Sequence, residues 1–179
     1  GSTPASRAEG VGEAIRLVEA EGLTAAGIYA TAENAEALLN SRGLFRYYAE
    51  TLTQFSITVM GADSSGWAKA TSPIHDDVDP VRLAERAVRK AVRSRSPSEL
   101  APGRYTVILE AAAVLDLVGQ IFADFSGTAL TDQRSFLNER MGEKLFGPEV
   151  TIYDDAAFPL QAGAPFDAEG VPRETLTLV

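Results

Sequence analysis

The run Gln54-Phe55-Ser56-Ile57-Thr58-Val59, then Asp63-Ser64-Ser65-Gly66 and Trp67-Ala68-Lys69-Ala70, decides the fold. Phe55, Ile57 and Val59 alternate with Gln54, Ser56 and Thr58, the period-2 pattern of a strand with one buried face. The Asp-Ser-Ser-Gly turn sends the chain back, which predicts an antiparallel hairpin within a β-region covering residues 44–70.

Working outward, Asp79 is a natural helix N-cap and Pro80 suits the first helical position. Ala84, Ala87, Val88, Ala91 and Val92 then form one apolar stripe at helical spacing. The opposite side carries Arg82, Arg86, Arg89, Lys90, Arg93 and Arg95, six of the chain's 16 basic residues. Upstream, residues 3 to about 22 read as a helix through Val11, Ala14, Ile15 and Val18, with Gly22 as its stop. Residues 24–31 read as a short strand, 35–40 as its neighbour, Asn34 as near the turn between them, and Ser41-Arg42-Gly43 as a further turn.

Downstream of a Pro97- and Pro102-bearing loop, residues 104–109 predict a short apolar strand and 111–125 a buried helix. Residues 135–141 predict a second helical piece, 150–153 a strand stopped by Asp154-Asp155, and 175–179 a last strand. The expected class is α+β, an antiparallel sheet packed with helices and followed by the start of a second β-rich unit. Residues from about 104 onward are expected to begin that second unit.

Composition excludes several chemistries. The chain has 179 residues, 45% of them apolar, enough for a buried core and too many for a disordered chain. Cysteine is absent, which removes disulfides, thiolate zinc sites and thiol catalysis. His75 is the single histidine, so no two-histidine metal site can be built within this chain. The net charge of −9 opposes general nucleic-acid binding. No apolar stretch approaches the roughly 18 residues of a membrane helix, and with no signal or lipidation motif the expected location is cytoplasmic. Gly1-Ser2 reads as a vector-derived remnant, and a strand running to residue 179 as the sign of a piece cut from a longer protein.

Each chemical candidate has a structural counterpart. His75-Asp76-Asp77-Val78-Asp79 carries cation-ligand types, but Pro73 and Pro80 bracket it as a connector and Asp79 serves the helix dipole. A Ser-His-Asp triad would have to use His75, and no Gly-x-Ser-x-Gly elbow exists. Asp63-Ser-Ser-Gly66 and Asp124-Phe-Ser-Gly127 are each one residue longer than the aspartic-protease signature and read as polar turns. The basic face Arg82, Arg86, Arg89, Lys90 and Arg93 is a candidate partner surface, otherwise a solvated helix side. Phe166-Asp167-Ala168-Glu169-Gly170-Val171-Pro172 is a dense turn signal; Phe166, Asp167, Glu169 and Gly170 are candidates for an interface or a structural turn.

An ordered set of segments then carries a family resemblance. It comprises Asn40-Ser41-Arg42-Gly43-Leu44 before a hairpin, Pro102-Gly103-Arg104-Tyr105-Thr106-Val107-Ile108-Leu109 before an apolar helix, Ser135-Phe136-Leu137, Gly142-Glu143-Lys144, Thr151-Ile152-Tyr153-Asp154-Asp155 and Phe166-Asp167-Ala168-Glu169-Gly170-Val171. In that order and spacing, over roughly residues 23–179, the chain resembles the TldD/PmbA family, also named modulator of DNA gyrase. On that resemblance, residues 1–100 are part of an N-terminal α/β domain, and 101–179 the linking helices and first strands of a truncated C-terminal β-rich domain.

The resemblance implies a zinc metallopeptidase whose active subunit carries His-Glu-x-x-x-His, with the glutamate as general base. Counted back from Gly142 without gaps, the metal histidines fall at Val118 and Ala123 and the glutamate at Gly119. None can bind zinc or move a proton, and Leu117, Val118, Ile121 and Phe122 make a packing surface instead. The chain therefore resembles the TldE/PmbA-like subunit, without catalytic or metal residues of its own. The implied partner is a TldD-like zinc-bearing subunit in a heterodimer cutting peptides, with roles in proteolysis and peptide maturation; homodimerisation is the other self-assembly expected. A metal-independent hydrolase using Asp167 or Glu169 is a further hypothesis. The alternative outside peptidase chemistry is a binding or regulatory module linked to DNA gyrase.

Overall fold

The computed structural model describes residues 2–160 and 163–178, and the fold is α+β. The chain divides into two compact units, Gly1–Leu100 with Ala156–Arg173 and Ala101–Asp155 with Glu174–Val179.

The first unit begins with α1 (Pro4–Ala20). The Thr3 hydroxyl accepts from the Ser6 amide at 3.1 Å, and the Ser6 hydroxyl accepts from the Thr3 amide at 2.9 Å, a reciprocal cap that satisfies two otherwise orphaned donors. Gly22, at φ +67°, lets the chain leave the helix in the left-handed region. β1 (Thr24–Leu39), β2 (Phe45–Met60) and β3 (Ser65–Ser72) follow as an antiparallel sheet in the order β1-β2-β3. The hairpin read at residues 54–70 is therefore present.

The split of residues 24–40 into two strands is corrected. β1 runs unbroken, and Asn34 sits opposite Glu50 in mid-ladder. The turn lies at residues 40–44, where the Asn40 carboxamide accepts from the Arg42 and Leu44 amides at 2.9 and 3.2 Å. The β1–β2 ladder continues from Thr24↔Met60 to Leu39↔Phe45, whereas β3 accompanies β2 only from Met60 back to Thr53.

A 3-10 turn (His75–Asp77) leads to α2 (Pro80–Arg93). Asp79 caps it, accepting from the Val81 and Arg82 amides at 2.9 and 3.1 Å. The core lies between sheet and helices: Phe55, Ile57, Val59 and Ala68 meet Leu83, Ala84, Ala87, Val88 and Ala91 of α2 and Ala14 and Val18 of α1. Full burial of each larger aliphatic or aromatic side chain contributes about 1.5–3 kcal/mol.

The second unit contains α3 (Ala111–Phe122), a 3-10 turn (Ala123–Phe125), α4 (Gly127–Thr131) and the short antiparallel pair β4 (Tyr153–Asp154) and β5 (Leu176–Thr177). Five expectations are corrected here. Residues 104–109 form no strand, and Ile108 is 98% exposed. α3 is helical as expected, but it has no buried residue. The second helical piece is residues 127–131, not 135–141, because the Ser135 hydroxyl accepts from the Leu137 amide and donates to the Asp124 carbonyl, holding that stretch as turns. Only Tyr153 of the expected strand 150–153 is in β4, which Asp154 extends rather than stops, and only Leu176 and Thr177 of the last expected strand pair with it. Val179 lies outside the described residues. No helix among the described residues is long and apolar enough to cross a membrane.

Candidate functional site

α3 carries the positions at which the resemblance implies a degenerate metal motif. Val118 and Gly119 lie within it, and Ala123 opens the 3-10 turn that follows. Val118 is half-buried, while Gly119 and Ala123 are exposed. A Cβ on Gly119 would meet nothing within 4 Å. None of the three side chains has a lone pair for a metal, so these positions do not fit zinc. Among the described residues no group of three or more His, Asp or Glu is placed to hold a metal ion. Leu115, Leu117 and Phe122 stand 69%, 57% and 55% exposed, making α3 an apolar surface.

The His75–Asp79 cluster is spent on local structure. The His75 ring stacks on Tyr29, with centroids 6.1 Å apart and planes 11° from parallel, and its Nδ1 lies 3.4 Å from the Thr53 hydroxyl. Asp77 accepts from the Ser72 hydroxyl at 2.9 Å, and Asp79 caps α2. Loss of water around Tyr29 raises its hydroxyl above the ordinary value of 10.0, the Asp76 and Asp79 charges raise it further, and Arg7 opposes them.

The two aspartates of the protease-like turns are likewise occupied. Asp63 accepts from the Ser96 amide at 2.9 Å, and Asp124 accepts from the Phe136 amide at 3.3 Å.

In the segment 166–172, Phe166 is buried and bridges to Pro172. The Asp167 carboxylate accepts from the Glu169 and Val171 amides, both at 2.9 Å, so it builds the turn. Gly170, at φ +82°, presents its carbonyl to Arg46 Nε at 3.1 Å. The Glu50 carboxylate accepts from the Gly163 amide at 2.6 Å and from the Tyr48 hydroxyl at 3.1 Å. These bonds tie residues 163–170 to the outer half of the β1–β2 ribbon. Sequence reasoning missed this tie, since no short-range signal joins residues 113 positions apart.

The basic face of α2 divides by what each cation touches. Lys90 donates to the Trp67 carbonyl at 2.8 Å, and Arg89 pairs with Glu85 at 3.7 Å. Arg82, Arg86 and Arg89 line a hollow of about 370 Å3 together with Lys69 of β3. In the second unit, Phe125, Leu137, Met141, Phe146 and Leu178 line an apolar cavity of about 500 Å3, which the sequence did not signal.

Residues 5–95 match the family described as PmbA/TldA metallopeptidase central domain, and residues 102–179 match its C-terminal domain. A "Metalloprotease" of Methanothermobacter thermautotrophicus is 26% identical over 98% of this chain and 41% of its own length. Among solved structures, a candidate modulator of a DNA gyrase from Thermotoga maritima superposes with a TM-score of 0.85 at 21% identity, covering 99% of this chain and 43% of that one. TldE from Thermococcus kodakarensis does so with a TM-score of 0.73 at 20% identity, over 100% of this chain and 42% of its own. The chain thus spans about two fifths of the length of the relatives it matches. With two adjoining family domains covering residues 5–95 and 102–179, the chain belongs to the TldD/PmbA metallopeptidase family.

Proposed function

We propose that this chain is part of a non-catalytic, TldE/PmbA-like subunit of a two-subunit zinc metallopeptidase that acts on peptides. The observation carrying this reading is the chemistry of α3 and the turn after it, where Val118, Gly119 and Ala123 replace the ligands and general base that the family resemblance implies. In this reading zinc, which polarises a peptide carbonyl and lowers the pKa of a bound water, resides in a TldD-like partner. This chain contributes folded surface to a cytoplasmic heterodimer engaged in proteolysis and peptide maturation. The apolar exposure of Leu115, Leu117 and Phe122 supports assembly, since a helix apolar around most of its circumference is normally covered.

The test is recovery of the tagged protein from its own host, with mass spectrometry of what co-elutes. Near-stoichiometric recovery of a chain bearing His-Glu-x-x-x-His, and stimulation of that chain's peptidase activity, is the expected result. Recovery of no such chain overturns the reading. The second reading, a binding module linked to DNA gyrase, draws on the Thermotoga relative's description and on the basic face of α2. It predicts that Arg89→Glu with Arg93→Glu abolishes gyrase association while leaving the fold intact.

A further inference from the structure

The cations of α2 do not share one explanation. A helix favours positive charge near its C-terminus and disfavours it near its N-terminus. Arg93 sits where the dipole rewards it, Lys90 satisfies the Trp67 carbonyl, and Arg89 has Glu85. Arg82 and Arg86 lie in the first half of the helix, and their side chains make no hydrogen bond or ion pair with other described residues. Lys69, across the hollow on β3, is equally uncommitted among the described residues.

The carboxylates around the same hollow have partners already. Asp79 accepts from two amides of α2, Asp77 accepts from Ser72, and Glu85 faces Arg89. Three cations with no internal use therefore border about 370 Å3 of open space, in a chain whose net charge is −9. Three carboxylates line the hollow beside its four cations, yet none of them bonds to Lys69, Arg82 or Arg86, so an anionic occupant would gain charge-assisted hydrogen bonds that the chain itself does not supply.

We propose that the hollow between β3 and the first half of α2 docks an acidic polypeptide segment, whose carboxylates are taken by Arg82 and Arg86 with Lys69 on the strand side. Arg82 and Arg86 are set one helical turn apart on α2, and each guanidinium can fork a carboxylate. Two features favour polypeptide over nucleic acid. Asp77, Asp79 and Glu85 interrupt the positive lining, which suits separately placed carboxylates better than a continuous phosphate backbone, and no aromatic side chain lines the hollow to stack a base. The proposal does not depend on the peptidase-subunit reading, because it concerns only residues of the first unit.

The test measures fluorescence anisotropy of a labelled Asp/Glu decapeptide on the purified 179-residue chain at low salt. A Lys decapeptide and a single-stranded oligonucleotide serve as comparison probes. The acidic peptide is expected to bind and to be released by salt. Arg82→Glu with Arg86→Glu should weaken it by about tenfold or more, since exposed charge pairs are individually weak but reversal adds repulsion. Lys69→Glu should weaken it less, and Arg42→Glu, in the β1–β2 turn, should leave it unchanged. Circular dichroism confirms that each variant is folded, and if the double variant is not, Arg82→Gln with Arg86→Gln replaces it. Three results overturn the proposal: no preference for the acidic over the Lys peptide, equal or tighter binding of the oligonucleotide, or indifference to the paired substitution.

Discussion

Gly66 of β3 lies so close to the Ala87 carbonyl of α2 that a Cβ on Gly66 would overlap that oxygen. The Ala91 amide and the Lys90 Cβ crowd the same spot, at 2.6 and 2.8 Å from where the Cβ would be. Backbone on both sides cannot rotate away, so helix and sheet would have to separate. Gly66→Ala is expected to destabilise the first unit by about 2–4 kcal/mol through overpacking. Urea unfolding reads this as a lower midpoint, and an unchanged midpoint would show that α2 can slide without cost.

Gly119 gives the opposite sign. It is inside α3 with no atom within 4 Å of its missing Cβ. Gly119→Ala should raise the stability of the second unit by about 0.5–1 kcal/mol, because helix-interior glycine costs backbone entropy. A loss of stability would mean that this face of α3 is occupied.

Alkaline pH should weaken the first unit. Tyr29 titrates above the ordinary 10.0 because its surroundings exclude water and Asp76 and Asp79 oppose a second negative charge. Tyr48 shifts the same way, through burial and the hydrogen bond it donates to Glu50. The fold favours both neutral phenols. Their stabilisation is complete below the unfolded value near 10 and is lost as pH rises through the higher folded values. Thermal midpoints should therefore fall above about pH 10, and Tyr29→Phe should flatten the decline. A midpoint independent of pH through that window would contradict the assignment.

Metal removal should leave the isolated chain untouched. Among the described residues no group of three or more His, Asp or Glu is placed to hold a metal ion, so these residues offer no metal-binding free energy to the fold. Excess EDTA should not change the melting temperature, and a drop of several degrees would reveal a metal site.

Legibility in the sequence followed the range of each signal. Asp79, Pro80 and the stripe from Ala84 to Val92 lie within one helix, and α2 starts at Pro80 as those residues specify. The Asp167 turn is equally local. Asn34 misled because asparagine favours turns in isolation, whereas its pairing opposite Glu50 is decided by the register of the whole β1–β2 ladder. Residues 104–109 have strand-like composition but gain no ladder partner among the described residues, and a strand without one leaves its backbone groups to water. Apolar patterning predicted that α3 is buried, but patterning reports only what a helix would gain from a cover. Of the hollow at α2, the sequence showed the arginines and not Lys69, which packing of β3 beside the helix brings to them.

The hydrogen bonds from Gly163 to Glu50 and from Arg46 to Gly170 can form only late in synthesis. The first unit is discontinuous: residues 101–155 intervene before the stretch Ala156–Arg173 that completes it. A ribosome adding about 5–20 residues per second reaches that stretch several seconds after releasing Leu100. During that interval the far end of the sixteen-pair β1–β2 ribbon is a nascent hairpin still waiting for its brace, exposed to chaperones and proteases. Cutting the gene between the two family domains would make that transient state permanent.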